Sequence, residues 1–236
     1  MKQPYLKKIG VFSGFDVWIV NGEHVRENLD REFTNFGHHL SYDIIPKKEF
    51  WIDKEYSGDE SKFFITNLLI QQRLMSEGKS YEYSHGIAKS AEKKERMKSR
   101  LLKNALKKIK HKEKILKKLH KKLLKPYSND KLKVWVVNGE LVRDLFFLDF
   151  TEGGNDQIYS FVPLGEIWLD DDLSPRERKF VILHELHERN LMKKGWGYDT
   201  LKKGAHWSAN EIEYFCRKYP QFTNAKIKDE IMKFKV

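Results

Sequence analysis

The spacing of apolar and polar residues switches between a strand period and a helix period, and the same switch occurs twice. Val17-Trp18-Ile19-Val20 and Val134-Trp135-Val136-Val137 are β-rich runs, each followed by Asn-Gly at Asn21-Gly22 and Asn138-Gly139. Asn-Gly is the preferred pair of a type I′ turn, since both positions tolerate positive φ. The pattern therefore predicts a β-hairpin whose return strand runs through Val25-Arg26 or Val142-Arg143. A Phe-Thr-x-x-Gly segment follows (Phe33 to Gly37, Phe150 to Gly154), then Pro46 or Pro163. A further strand comes next, Glu49 to Asp53 or Glu166 to Asp170, holding Trp51 or Trp168.

The period then lengthens to that of a helix. Ser174-Pro175-Arg176-Glu177 offers an N-cap serine, proline at the first helical position and glutamate three residues past the cap; Ser57-Gly58-Asp59-Glu60 repeats the capping box. Gly195 and Gly78 suit the left-handed C-cap and predict where these helices stop. Tyr198 and Tyr81 open a second helix, which in the second half runs to about Lys218 and ends before Pro220. Ile227 to Val236 predicts a short amphipathic tail helix. Each half reads as α+β, a β-hairpin and further strand in an antiparallel sheet with two helices packed on it.

The two halves are copies. Residues 17–81 match residues 134–198 at a constant offset of 117 with no gap, and 26 of the 65 positions are identical. Residues kept in both are candidates for scaffold, and polar residues of one copy that are apolar or amide in the other are candidates for chemistry. The organisation expected is a first module over 1–100, a linker over 101–130 and a second module over 131–236. From about Ser84 to Lys125 there is no proline, and the only glycine, Gly86, lies at the start. One long helix is predicted there, with Leu102, Ile109, Leu116 and Leu123 recurring every seven residues, so the linker offers a surface for an oligomer.

Charge belongs to that linker. Leu101 to Lys125 holds 11 Lys and one Glu, against a net charge of +11 for the whole chain. Lysines can bind nucleic acid by releasing counterions. Between Lys103 and Lys125 there is neither Arg nor an aromatic residue, so binding there is expected to be non-specific and salt-sensitive. The single cysteine, Cys216, excludes an intramolecular disulfide framework and is read as a buried thiol. No run reaches the length of a membrane span and the N-terminus has no signal-peptide core, so an intracellular, cytoplasmic protein is expected. The Trp pairs 18/135 and 51/168 are read as core packing, and His38-His39 as surface.

The candidate chemistry sits in the second copy, at His184-Glu185-Leu186-His187-Glu188, where the first copy has Asn67-Leu68-Leu69-Ile70-Gln71. On a helix, His184 and Glu188 share a face and can converge on one ion, with Glu185 the next residue round. His206 on the following helix is the natural third ligand. His187 can substitute for either histidine, and Glu213 can accept from His206 or add a ligand. Allowing one inserted residue, Ala88 matches His206 and Glu95 matches Glu213. Two histidines and one carboxylate suit catalytic Zn2+ with an open position, and also non-haem Fe2+.

Over about 50 residues, from the Glu166–Asp170 strand through the next helix, the chain resembles the zincin metallopeptidases. Their helix carries His-Glu-x-x-His, two histidine ligands with the glutamate as general base. The resemblance implies a ligand at His184 and a base at Glu185. Glu188 departs from the family, which has histidine there. The function expected is a zinc-dependent hydrolase, a metallopeptidase acting on a protein or peptide, with the first copy non-catalytic. The alternative is a non-enzymatic nucleic-acid-binding or scaffold protein acting through the lysine segment.

Overall fold

A computed structural model describes residues 4–56, 58, 60–107, 112–198 and 203–233. The chain divides into two compact units, Met1–Lys108 and Ile109–Val236. The first contains β1 (Tyr5–Phe12), β2 (Phe15–Val20), α1 (Gly22–Asn28), β3 (Phe36–His38), β4 (Glu49–Asp53), α2 (Ser61–Ser76), α3 (Tyr81–Arg96) and α4 (Arg100–Lys107). The second contains α5 (Lys112–Leu119), β5 (His120–Leu123), β6 (Lys133–Val137), α6 (Gly139–Leu145), β7 (Gly153–Asn155), β8 (Glu166–Asp170), α7 (Pro175–Lys193), α8 (Ala205–Lys218) and α9 (Thr223–Met232). Both units are α+β, each a four-stranded sheet with helices on it, in the orders β1-β2-β4-β3 and β5-β6-β8-β7.

The sheets are mixed, not antiparallel, because Asn-Gly starts a helix and not a turn. The Asn21 side chain accepts the His24 N–H at 3.4 Å, and Asn138 accepts the Leu141 N–H at 2.8 Å. Both are N-caps. A Cβ on Gly22 or Gly139 would collide with the carboxylate of Asp53 or Asp170. One helical turn later, Arg26 and Arg143 bind those same two carboxylates in the interior. The predicted return strands at Val25-Arg26 and Val142-Arg143 are thus α1 and α6. These helices carry the chain over the sheet, so β2 lies parallel to β4 and β6 parallel to β8, with Trp18 opposite Trp51 and Trp135 opposite Trp168.

The antiparallel partner lies upstream in each unit. In the first it is β1, joined to β2 through Ser13-Gly14, both at positive φ. In the second it is β5, drawn from the lysine segment. The single long helix is therefore corrected: α3 stops at Arg96, α4 covers Arg100–Lys107 and α5 ends at Leu119. His120 stops it, stacking on Trp135 at 4.3 Å between ring centres and pairing with Glu166 at 3.0 Å. Lys121 pairs with Asp171. Leu119 is buried although it lies off the seven-residue stripe, and Ile109 lies outside the described residues.

The helix signals hold elsewhere. The strands Glu49–Asp53 and Glu166–Asp170 have the expected bounds, and α2 and α7 end just before Gly78 and Gly195, both at positive φ. Ser174 caps α7, accepting the Glu177 N–H at 3.2 Å. Ser57 and Asp59 lie outside the described residues, and α2 begins at Ser61. α8 begins at Ala205 and not at Tyr198. Trp51 and Trp168 are buried in their units. The core of the second unit gathers Val134, Ile167, Leu169, Leu183, Leu186 and Ile227, with α7 lying on β7 and β8 and against α8 and α9. Among the described residues no helix is long and apolar enough to cross a membrane.

Candidate metal centre

Burial of its apolar stripe fixes the rotation of α7. With Val181, Leu183 and Leu186 in the core, His184 and Glu188 are left facing α8. α8 supplies His206 in its first turn. His184 Nε2 is 3.3 Å from His206 Nδ1, His206 Nδ1 is 2.9 Å from Glu188 Oε1, and His184 Nε2 is 3.7 Å from Glu188 Oε1. The corners of a tetrahedron with bonds of about 2.0–2.2 Å are about 3.3–3.6 Å apart. The three separations lie on either side of that range, and a triangle with these sides has a point about 2 Å from every corner, so one cation can lie within bonding distance of all three. Asp170, Asp171 and Asp172 also come together, but Asp170 is taken by Arg143 and Asp171 by Lys121.

The side of His184 away from this point is fixed. Its Nδ1 lies 2.9 Å from Glu213 Oε2. Arg217 Nε donates to Glu213 Oε1 at 2.9 Å, and Arg217 Nη1 donates to both oxygens of Glu177 at 2.8 and 2.9 Å. A carboxylate on the far ring nitrogen sets the tautomer that leaves Nε2 free to ligate. Glu213 is thus the partner of His184 rather than of His206. His187 does not join the group: its Nδ1 lies 2.8 Å from Glu230 and its Nε2 3.0 Å from Ser208.

Glu185 lies on the sheet side. The Asn155 amide nitrogen donates to Glu185 Oε2 and to Glu188 Oε2, both at 2.9 Å. Asn155 is fully buried and was missed in the sequence; the only signal was a polar residue in the same column of both copies, His38 and Asn155. The concentration of buried carboxylates shifts their titration. Burial, followed by the Glu188 charge, pushes Glu185 up to about 8. Burial would also raise Glu188, but hydrogen bonds from His184 and His206 outweigh it and hold Glu188 down at about 2. Burial would lower His184, yet Glu188 and Glu213 together raise it well above the ordinary imidazole value. Four carboxylates, those of Glu177, Glu185, Glu188 and Glu213, share this interior with one arginine, and the raised pKa values of His184 and Glu185 favour protons that offset their charge. A divalent cation can take the place of those protons.

The first unit contains the same frame. Arg96 Nε donates to Glu92 at 2.8 Å and Arg96 Nη1 pairs with Glu60 at 2.7 Å, as Arg217 does with Glu213 and Glu177. Glu92 reaches Asn67 at 2.7 Å where Glu213 reaches His184, and Gln71 reaches His85 at 3.3 Å where Glu188 reaches His206. Tyr81 lies against His85 as Tyr198 lies against His206. Glu213 stands 121 residues after Glu92, against 117 in the rest of the repeat, so four residues are inserted before α8 and not one. The counterpart of His206 is therefore His85, not Ala88, and that of Glu213 is Glu92, not Glu95. His38 is fully buried rather than at the surface, and its Nε2 lies 3.1 Å from Gln71 Oε1, as Asn155 meets Glu188.

Compared with protein-family models, with curated proteins and with solved structures, the chain has no match.

Proposed function

We propose that the second unit is a metal-dependent hydrolase, with Zn2+ held by His184, Glu188 and His206 and a protein or peptide as substrate. The observation that carries this reading is the convergence of two imidazole nitrogens and one carboxylate oxygen within 2.9–3.7 Å of one another, backed by Glu213. A zinc ion so held supplies a Lewis acid and lowers the pKa of a coordinated water. Glu185 is the general base. With Oε2 held by Asn155, its carboxylate would take up the proton lost by water and deliver it to the leaving nitrogen. The His-Glu-x-x-His-like run supports the peptide substrate. The first unit, with Asn67 and Gln71 in the ligand columns, serves substrate or partner binding.

The test is elemental analysis of the purified chain, followed by assay against a peptide library with and without chelator. About one zinc per chain, lost in His184→Ala and in His206→Ala, is expected. Stoichiometric iron in place of zinc would redirect the reading to the non-haem iron class that shares this ligand set. Metal content near zero, unchanged by either substitution, overturns it.

A further inference from the structure

Glu188 has two oxygens with different surroundings. Oε1 faces His184 and His206. Oε2 accepts from Asn155, whose amide nitrogen also donates to Glu185 Oε2. Resting on the metal-site reading above, we infer that Asn155 is a positioning residue that makes Glu188 a one-oxygen ligand and locks Glu185 beside it. A carboxylate can bind a cation through one or both oxygens. If Oε2 were free, it could swing in beside the water and raise the number of ligands from four to five. The Asn155 donor holds it out, and the same nitrogen ties base and ligand to one point on the sheet edge.

Asn155 is itself pinned. Its Oδ1 accepts the Gln157 N–H at 2.9 Å, which orients the amide so that only nitrogen faces the carboxylates. Behind it, Asp156 pairs with Arg189 of α7 and accepts the Gly165 N–H at 2.9 Å, clamping this stretch of chain to the helix that carries both glutamates. The first unit shows that the frame is independent of residue type. There, His38 Nδ1 accepts the Leu40 N–H at 3.2 Å, and Nε2 faces Gln71 Oε1. Histidine in that column thus reproduces the acceptor and the donor of asparagine, with its tautomer fixed so that Nε2 donates and does not ligate.

The experiment uses Co2+ as a spectroscopic substitute in the full chain, comparing wild type with Asn155→Leu and Asn155→His. Four-coordinate cobalt absorbs visible light far more strongly than five- or six-coordinate cobalt. Wild type is expected to show strong bands. In Asn155→Leu they should weaken severalfold, with cobalt affinity falling about 10-fold or more. Asn155→His should restore both, since it keeps the donor to Glu188. Circular dichroism checks that each variant is folded, and Asn155→Ala replaces Asn155→Leu if the latter is not. Wild-type spectrum and affinity in the folded donorless variant overturn the role given to Asn155 while leaving the metal site standing. No cobalt uptake by wild type removes the metal reading and this inference with it.

Discussion

Gln71 Nε2 meets His85 Nδ1 at 3.3 Å, and this contact stands in the first unit where Glu188 meets His206 in the second. Amide groups satisfy the same partners as imidazole and carboxylate, but they bring neither charge nor a basic nitrogen for a cation. His85 is already in place, and Glu92 already stands behind residue 67. The double substitution Asn67→His with Gln71→Glu should therefore create a second cation site. Bound zinc is expected to rise from about one to about two per chain, read by elemental analysis. Gln71→Glu alone should bind none in the first unit. A folded double variant that still binds one would show that the shared hydrogen bonds do not carry a shared ligand geometry.

A cation bound only by the folded second unit must stabilise it. Saturating zinc at about 100 times its dissociation constant is worth about 2.7 kcal/mol of unfolding free energy. Chelator is expected to lower the melting temperature of the wild-type chain. Glu188→Gln, which puts the amide of the first unit into the ligand column, should abolish that chelator effect. Equal chelator sensitivity in the two proteins would place the cation elsewhere.

Much of this was legible in the sequence, and the failures share a cause. The strands around Trp51 and Trp168 and the α7 cap and stop follow from local chemistry that nothing distant overrides. Asn-Gly was misread because its residues suit both a turn and a helix start. What decides is Asp53 or Asp170, some 30 residues away, whose carboxylate needs a residue without a side chain beside it. The lysine segment was misread as one helix because its helical propensity is high throughout. His120 leaves the helix because Trp135 and Glu166 give it better partners in the sheet. His184, Glu188 and His206 could be picked out as metal-competent residues because they lie on adjacent helices. Asn155 could not, since its role depends on a loop meeting a helix across the sheet edge. Counting one inserted residue hid the kinship of His85 and His206, which the buried arginines Arg96 and Arg217 reveal.

Those arginines are each a buried cation held between two carboxylates. Arg217 lies between the buried carboxylates of Glu177 and Glu213, and Arg96 between Glu60 and Glu92. Removing the cation leaves two buried carboxylates uncompensated, which costs about 3–5 kcal/mol. Arg217→Ala and Arg96→Ala are each expected to lose that much in urea unfolding of the affected unit. Arg217→Lys should recover only part, because an ammonium cannot present Nε and Nη donors to two carboxylates in a fixed fork. A loss under about 1 kcal/mol in both alanine variants would show that the triads are neutral to stability.

His38 makes the stability of the first unit depend on pH in a way that can be assigned to one ring. Burial pushes its pKa from 6.5 to about 4, against a smaller opposing effect of the Gln71 hydrogen bond; the neighbouring His39 charge lowers it slightly further. Protonation would also cost the bond in which Nδ1 accepts the Leu40 N–H. In the unfolded chain the ring titrates near its ordinary value. Between pH 6.5 and about 4 the unfolded state therefore binds a proton that the folded state refuses. The contribution of His38 is fully present above pH 6.5 and is lost as pH falls towards 4, by up to about 3 kcal/mol. His38→Asn installs the residue of the second unit, which supplies the same acceptor and donor and does not titrate. Hydrogen exchange at β4 amides, measured at pH 7 and pH 4.5 and corrected for intrinsic rates, follows the stability of this unit. Wild type should lose protection over that interval and His38→Asn should lose less. Equal losses would assign the pH dependence to another group.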